Sequence, residues 1–265
     1  MPIVKAKSLK ESYRHRAKSG NINELNGRGS SAYLTKFVAK NIVDQLPVKN
    51  GDYIVDIGCG DCSFFNELIQ TGENFANCSL IGILPNIEEL NVVQGHIGKA
   101  SSIQLHLANI TNLKLPFECA DIVVMNSVLH GATQNIEQVK QVIENIWSII
   151  KKNGLFYLGE LPYVDEFQDR DYSPDSIFGW LLWTLRRKGI RTFFTSMAKV
   201  IKCKVTSEPF IIEPKTRFYI RPKDLILFME TLGFVVVSYR PHDQIDIHGH
   251  VSKSPTRYNY VFKKV

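Results

Sequence analysis

The residues best suited to chemistry are Asp56-Ile57-Gly58-Cys59-Gly60-Asp61-Cys62, where an acid closes an apolar run two residues ahead of a G-x-G turn. Glycines there let backbone N–H groups approach a ligand closely, with a helix N-terminus behind the turn. Cys59 and Cys62 have the spacing of a redox or zinc pair. No second cysteine pair accompanies them and both lie inside the glycine turn, so coincidence is the better reading. His242, Asp243, Asp246, His248 and His250 form a third group. Their types suit a metal, a substrate contact, a general base or simply a solvated loop. Two single residues complete the set. His130 is either a general base or a capped loop histidine. Glu160 is either an acid that orients a substrate hydroxyl or amine, or an exposed carboxylate.

Elements that could position these residues follow from hydrophobic pattern. Tyr53–Ile57, Leu80–Leu84, Ser102–Leu107, Asp121–Asn126 and Leu155–Gly159 read as strands, with helices between them at 63–71, 87–94 and 135–151. Helix 63–71 places Phe64, Phe65, Leu68 and Ile69 on one side. Helix 135–151 repeats Ile136, Val139, Val142, Ile143, Ile146, Trp147 and Ile150 at helical spacing. Asn153-Gly154 reads as its terminating turn. Strands apolar on both faces and separated by helices require a parallel sheet covered on both sides. The alternation stops near residue 163 and resumes with a helix at 223–232 and strands at 234–239 and 258–263. Four segments follow: 1–50, a polar arm and a helix from Ser31 to Gln45; 51–162, the core; 163–222, an insertion read as a helical lid between strands five and six; and 223–265, the completion of the sheet. In the lid, Ile177–Leu185 with Trp180 and Trp183 reads as lid core; the Arg186-Arg187-Lys188 that follows adds interfacial membrane contact as a second reading.

Composition narrows the function classes. The 265 residues are 44% hydrophobic and 22% charged, which excludes wholesale disorder. No apolar run is long enough to span a bilayer and no secretory signal opens the chain. Five cysteines are too few for a disulfide scaffold, and a cytoplasmic setting is expected. The net charge of +6 is unevenly spread: about +7 over residues 1–50, −7 over 51–162, and +5 over 163–223. A basic arm and insertion around an acidic core favour an anionic partner.

The glycine turn and strand succession resemble the class I S-adenosylmethionine-dependent methyltransferases, whose first motif is D-x-G-x-G. The resemblance covers about residues 40–160 and 223–265. It is not the dinucleotide fingerprint, because no third glycine follows in the G-x-G-x-x-G spacing. The resemblance implies an α/β fold: a seven-stranded, mostly parallel, doubly wound sheet whose last strand returns antiparallel between strands five and six. It implies S-adenosylmethionine as cofactor and S-adenosylhomocysteine as product. Gly58, Cys59 and Gly60 would underlie the methionine portion, with Asp56 near its ammonium. Asn109 stands where an acid commonly receives the adenine amino group, and the Ile110 N–H would face the ring. Asn126 would sit beside the transferred methyl. The family's ribose-gripping acid is replaced by Leu84, which accepts no hydrogen bond, so Asn86 or another group must substitute. His130, Glu160 and His242 are the candidate catalytic residues. Trp180, Trp183, Arg187 and His248 are candidate acceptor contacts, and no metal is expected. An N-terminal arm folded back would bring Tyr13, His15 and Arg28 to the cofactor; otherwise they are surface residues.

The function expected is methyl transfer to a small, anionic acceptor in a biosynthetic role, with O-methylation favoured and a saccharide, phosphorylated compound or secondary-metabolite precursor as acceptor. One alternative is an RNA methyltransferase. Asn126-Ser127-Val128-Leu129 opposes it, lacking the N/D-P-P-aromatic motif of amino-methylating nucleic-acid enzymes. The other, prompted by Leu84, is a non-catalytic binding protein of the same fold. The oligomeric state is left open.

Overall fold

The structure, a computed structural model, describes residues 3–6, 8–22, 25, 32–71, 75, 77–97, 102–133, 135–163, 176–206, 210–212, 218–246 and 248–265. Nine strands are described: β1 (Ile3–Lys5), β2 (Tyr53–Ile57), β3 (Ser79–Leu84), β4 (Ile103–Leu107), β5 (Ala120–Asn126), β6 (Ile150–Pro162), β7 (Phe210–Ile212), β8 (Phe234–Ile245) and β9 (Val251–Lys264). The helices are α1 (Leu9–Ala17), α2 (Ala32–Val43), α3 (Ser63–Thr71), α4 (Ile87–Ile97), α5 (Leu129–Ala132), α6 (Ile136–Ile149), α7 (Ile177–Thr206) and α8 (Pro222–Thr231).

Seven strands form one sheet in the order β4-β3-β2-β5-β6-β9-β8. The pairs from β4 to β6 are parallel, while β9 runs antiparallel to both β6 and β8. This is the doubly wound sheet with an antiparallel last strand that the sequence implies. Its order reverses between β2 and β5, and the carboxyl ends of strands at such a point leave a crevice for a ligand.

Alternation in β2 divides the core. Val55 and Ile57 face one apolar layer with Val139, Val142, Ile143 and Ile146 of α6 and Leu225 and Met229 of α8. Ile54 faces the other, with Val38 and Ile42 of α2 and Phe64, Phe65 and Leu68 of α3. Each fully buried aliphatic side chain contributes about 1.5–3 kcal/mol, so α6 is held chiefly by this stripe. Its start is fixed by Asn135, whose Oδ1 accepts from the Gln138 N–H at 2.9 Å. Ile69, expected on the buried side of α3, is largely exposed, because that layer is already filled by its neighbours.

Three features differ from the expected elements. The chain passes from α6 into β6 at Ile150, and Asn153 (φ 66°) sits inside the strand rather than in a helix-ending turn before it. Strands β8 and β9 are longer than expected and take His242 and Asp243 into β8. The polar arm contributes β1, which pairs in parallel with β7 of the insertion. Three-residue strands carry no readable periodicity, so this small sheet leaves no sequence signal.

Candidate active site

The glycine turn is pinned to the sheet before any ligand is considered. The N–H groups of Gly58 and Cys59 donate to the Ile83 carbonyl at 2.9 and 3.3 Å. Gly58 has φ +74°, and a Cβ there would lie 2.5 Å from Val128 Cγ2, so both conformation and space demand glycine. Gly82 on the neighbouring strand is needed for a related reason: a Cβ would meet Cys59 Sγ at 2.7 Å. Cys62 Sγ donates to Cys59 Sγ across 3.8 Å, and both thiols are free and buried. That hydrogen bond, and then burial, push the Cys59 thiol well above its ordinary range, so it is a neutral packing group and not a nucleophile.

Behind the turn lies a cavity of about 370 Å³. Asp56, Gly58, Cys59 and Gly60 form its floor, with Asn109, Ile110 and Asn126 on the walls. These predicted cofactor residues are brought together. Asn109 Oδ1 also accepts from the Thr111 N–H at 3.2 Å, capping the short 3-10 turn Ile110–Asn112. Asp56 is almost fully buried.

The other predicted residues stand elsewhere. Leu84 is wholly buried and does not line the cavity; its carbonyl accepts from the Ala108 N–H at 3.0 Å. Asn86 is also off the cavity. Its Nδ2 donates to the Lys10 carbonyl at 2.9 Å and to Glu89 Oε1, tying α1 to α4. His130 is buried off the cavity, and its carbonyl accepts from the Phe218 N–H at 2.9 Å. Trp180 packs edge-on against Phe210 at 5.3 Å, and neither it nor Trp183 lines the cavity. The side chain of Arg187, like Arg28, lies outside the described residues. His248 sits exposed in the β8–β9 turn, where Asp246 Oδ1 accepts from the His248 and His250 N–H groups at 2.8 and 2.9 Å. Those bonds lower the Asp246 pKa. No group of three or more His, Cys, Asp or Glu suited to a metal occurs among the described residues.

Two arrangements go beyond the sequence reading, which offers a folded-back arm with Tyr13, His15 and Arg28 at the cofactor only as one of two alternatives; Tyr13 lines the cavity and His15 does not. The first is the roof, which comes from the N-terminal arm and α2 (Lys10, Tyr13, Leu25, Val38) and, among the described residues, not from α7. Arg14 Nε donates to Glu88 Oε1 at 2.7 Å, a second tie from α1 to α4. The second is Glu89. It lines the cavity, is only 3% exposed, and burial pushes its pKa up to about 7 despite the hydrogen bond from Asn86. A buried carboxyl facing a cavity is uncommon enough to mark a functional position. The signal available in sequence was only an acid in the first turn of a helix beside the glycine turn's neighbouring strand.

A polar string runs behind Asn126. Its Nδ2 donates to Glu160 Oε1 at 2.9 Å; the Glu160 N–H donates to Asn259 Oδ1 at 3.0 Å; His242 Nδ1 stands 3.2 Å from that same oxygen. Glu160 has φ 53°, and its Oε2 is 3.6 Å from Arg257. Neither Glu160 nor His242 lines the cavity. Asn126 Oδ1 is buried with no hydrogen-bond partner among the described residues. Two buried acids that line the cavity, Asp56 under the glycine turn and Glu89, suit a ligand with both ammonium and hydroxyl donors.

Comparison with known proteins agrees with this geometry. Residues 55–158 match the family model described as methyltransferase domain. The chain is 26% identical over 124 residues to the tRNA (guanine(10)-N2)-dimethyltransferase of Methanocaldococcus jannaschii, a match covering 45% of this chain and 35% of that enzyme. The chain therefore matches only about a third of that relative's length. Among solved structures, an S-adenosylmethionine-dependent methyltransferase from Methanosarcina mazei superposes with a TM-score of 0.54 at 16% identity, over 84% of this chain and 97% of that one. Phosphoethanolamine N-methyltransferase 1 of Haemonchus contortus, in complex with phosphoethanolamine and S-adenosylhomocysteine, gives 0.60 at 12% identity, over 97% of this chain and 49% of that one. At these identities the two structures establish the shared fold.

Proposed function

We propose that this chain, a class I S-adenosylmethionine-dependent methyltransferase, methylates a small anionic acceptor, at oxygen in preference to nitrogen. The observation that carries the acceptor class is the roof. The cavity is roofed largely by α1 and α2, and the basic Lys10 and the phenol-bearing Tyr13 are among the residues that line it. A folded-back arm suits a compact acceptor better than a folded RNA. Phosphoethanolamine, the ligand of one fold neighbour, is an anion of this size class.

When bound, S-adenosylmethionine supplies an electrophilic methyl group on a sulfonium, open to in-line displacement. The placement of these residues on the cavity supports a role for each. Asp56 holds the cofactor's ammonium beneath the glycine turn. Glu89 accepts from the ribose hydroxyls, taking the part that Leu84 cannot play. Asn109 and Ile110 face the adenine. Asn126 lines the cavity at the end of β5, and its Nδ2 is fixed by Glu160. Glu160 and His242 are positioning residues, acting through Asn126 and Asn259. Lys10 pairs with the acceptor's anionic group and the roof keeps water out, so the chain's main contribution is alignment.

The similarity to a tRNA methyltransferase supports an RNA acceptor as the second reading. Incubating the protein with methyl-labelled S-adenosylmethionine and a cell extract, then separating the products by size, decides between them. Label in small anionic compounds is expected. Label confined to RNA overturns the small-acceptor reading.

A further inference from the structure

Helix α7 is broken at Gly189, where φ is 82° and ψ 172°. Its two arms fold back on each other. Ile177 and Trp180 near its start share one apolar cluster with Val200, Cys203 and Phe210. On a straight helix Trp180 and Cys203 would stand roughly 34 Å apart at 1.5 Å per residue.

Both arms carry apolar side chains on the face turned away from that cluster. Phe178, Leu182 and Leu185 recur at i, i+4 and i+7 and are all exposed, Phe178 by 72%. In the second arm Ile190, Phe194, Ile201 and Val205 are exposed by 53–79%. At about 100° per residue these four fall within an arc of roughly 60°. Helical spacing of this kind normally points a stripe into a core. Here the core-facing side is filled by Trp180, Thr184, Val200 and Cys203, and the second stripe meets solvent. The same 30 residues hold seven Lys and Arg and no Asp or Glu. The exposed Arg186, Arg191, Lys202 and Lys204 border the two stripes. No helix among the described residues is long and apolar enough to cross a membrane.

We infer that the α7 hairpin is a docking element for an anionic lipid surface, its apolar stripes seated at the headgroup boundary and its basic residues on lipid phosphates. Charge alone would fit RNA equally well. Seven exposed aliphatic and aromatic residues at helical spacing add nothing to phosphate binding, whereas they match an acyl-chain boundary. Most of the cavity's roof belongs to α1 and α2, so the hairpin can lie on a bilayer without uncovering the site. The inference is independent of the acceptor reading.

Co-sedimentation of the full chain with vesicles tests it, using phosphatidylcholine alone and phosphatidylcholine with phosphatidylglycerol, without cofactor or acceptor. The protein is expected to pellet with the anionic vesicles and not with the neutral ones. Ile190→Ser with Phe194→Ser should reduce the partition coefficient about tenfold or more. Arg186→Glu with Arg191→Glu should reduce it to a similar extent, leaving unchanged the calorimetric affinity for S-adenosylmethionine that reports an intact fold. No pelleting with anionic vesicles overturns the inference. So does pelleting that the apolar variant leaves unchanged, salt-dependent RNA binding without vesicle binding, or a dimer in solution that the apolar variant dissolves.

Discussion

Asn126 Nδ2 donates to Glu160 Oε1 at 2.9 Å, so a residue on the cavity wall is held by an acid that does not reach the cavity. Glu160 is in turn placed by Asn259 and neighboured by Arg257, and it tolerates a left-handed φ of 53°. Removing its carboxylate therefore frees Asn126 and leaves Arg257 with a weakened partner. Glu160→Ala should lower kcat more than it raises the cofactor Kd, with a stability loss of about 1–3 kcal/mol. Glu160→Gln keeps an acceptor oxygen for Asn126 and should recover most of kcat. Equal kcat losses in the two variants would sink the positioning role.

Glu89 makes both stability and cofactor affinity depend on pH. Burial raises its folded pKa from 4.5 to about 7. The protonated form is favoured in the free protein, so this contribution is fully present below about pH 4.5 and lost as pH rises through about 7. Its size is about 3 kcal/mol, and Glu89→Gln should flatten that slope in a urea series. Ribose hydroxyls donate to the ionised carboxylate, so cofactor affinity should rise from about pH 6 to 8, by up to about tenfold per unit below the pKa. Calorimetry of wild type and Glu89→Gln checks this; an affinity in the wild type that ignores pH removes Glu89 from the ribose site.

Gly58 offers a steric test of the turn. Gly58→Ala forces a Cβ into Val128 and an alanine into φ +74°, a strain of about 1–3 kcal/mol. Cofactor binding should fall by at least about tenfold in equilibrium dialysis. Adding Val128→Ala should restore only the part due to overlap, because the φ cost remains.

Lys264 tests the fold away from the site. Its ammonium, 2% exposed, donates to Glu118 Oε1 at 3.0 Å and to the carbonyls of Trp147 and Ile150 at 2.9 and 2.8 Å, and lies 3.7 Å over the Trp147 ring. Lys264→Ala strips three acceptors of one donor and should cost about 3–5 kcal/mol in chemical denaturation. Cofactor Kd measured well below the new midpoint should stay unchanged.

The elements legible in the sequence are those whose signal is local. The apolar runs 53–57, 80–84 and 121–126 specify buried strands, the stripe from Val139 to Ile149 specifies α6, and the acid-and-glycine turn at 56–60 specifies a ligand-facing loop. Each depends on residues within one turn or one strand, where side-chain period and glycine's freedom at φ > 0 act directly.

What tertiary structure alone decided is long-range. The roof exists because Asn86 reaches Lys10, 76 residues away, and the Asn126 support exists because Glu160 meets Asn259 across 99. Glu89 became a site residue only when α1 closed over α4 and buried it. His130, attractive by type beside the glycine turn, is turned off the cavity by packing. Spacing along a chain fixes which side of a helix or strand a residue occupies. Which surface then covers that side, and so which carboxylate loses its water, is settled only when distant segments pack together.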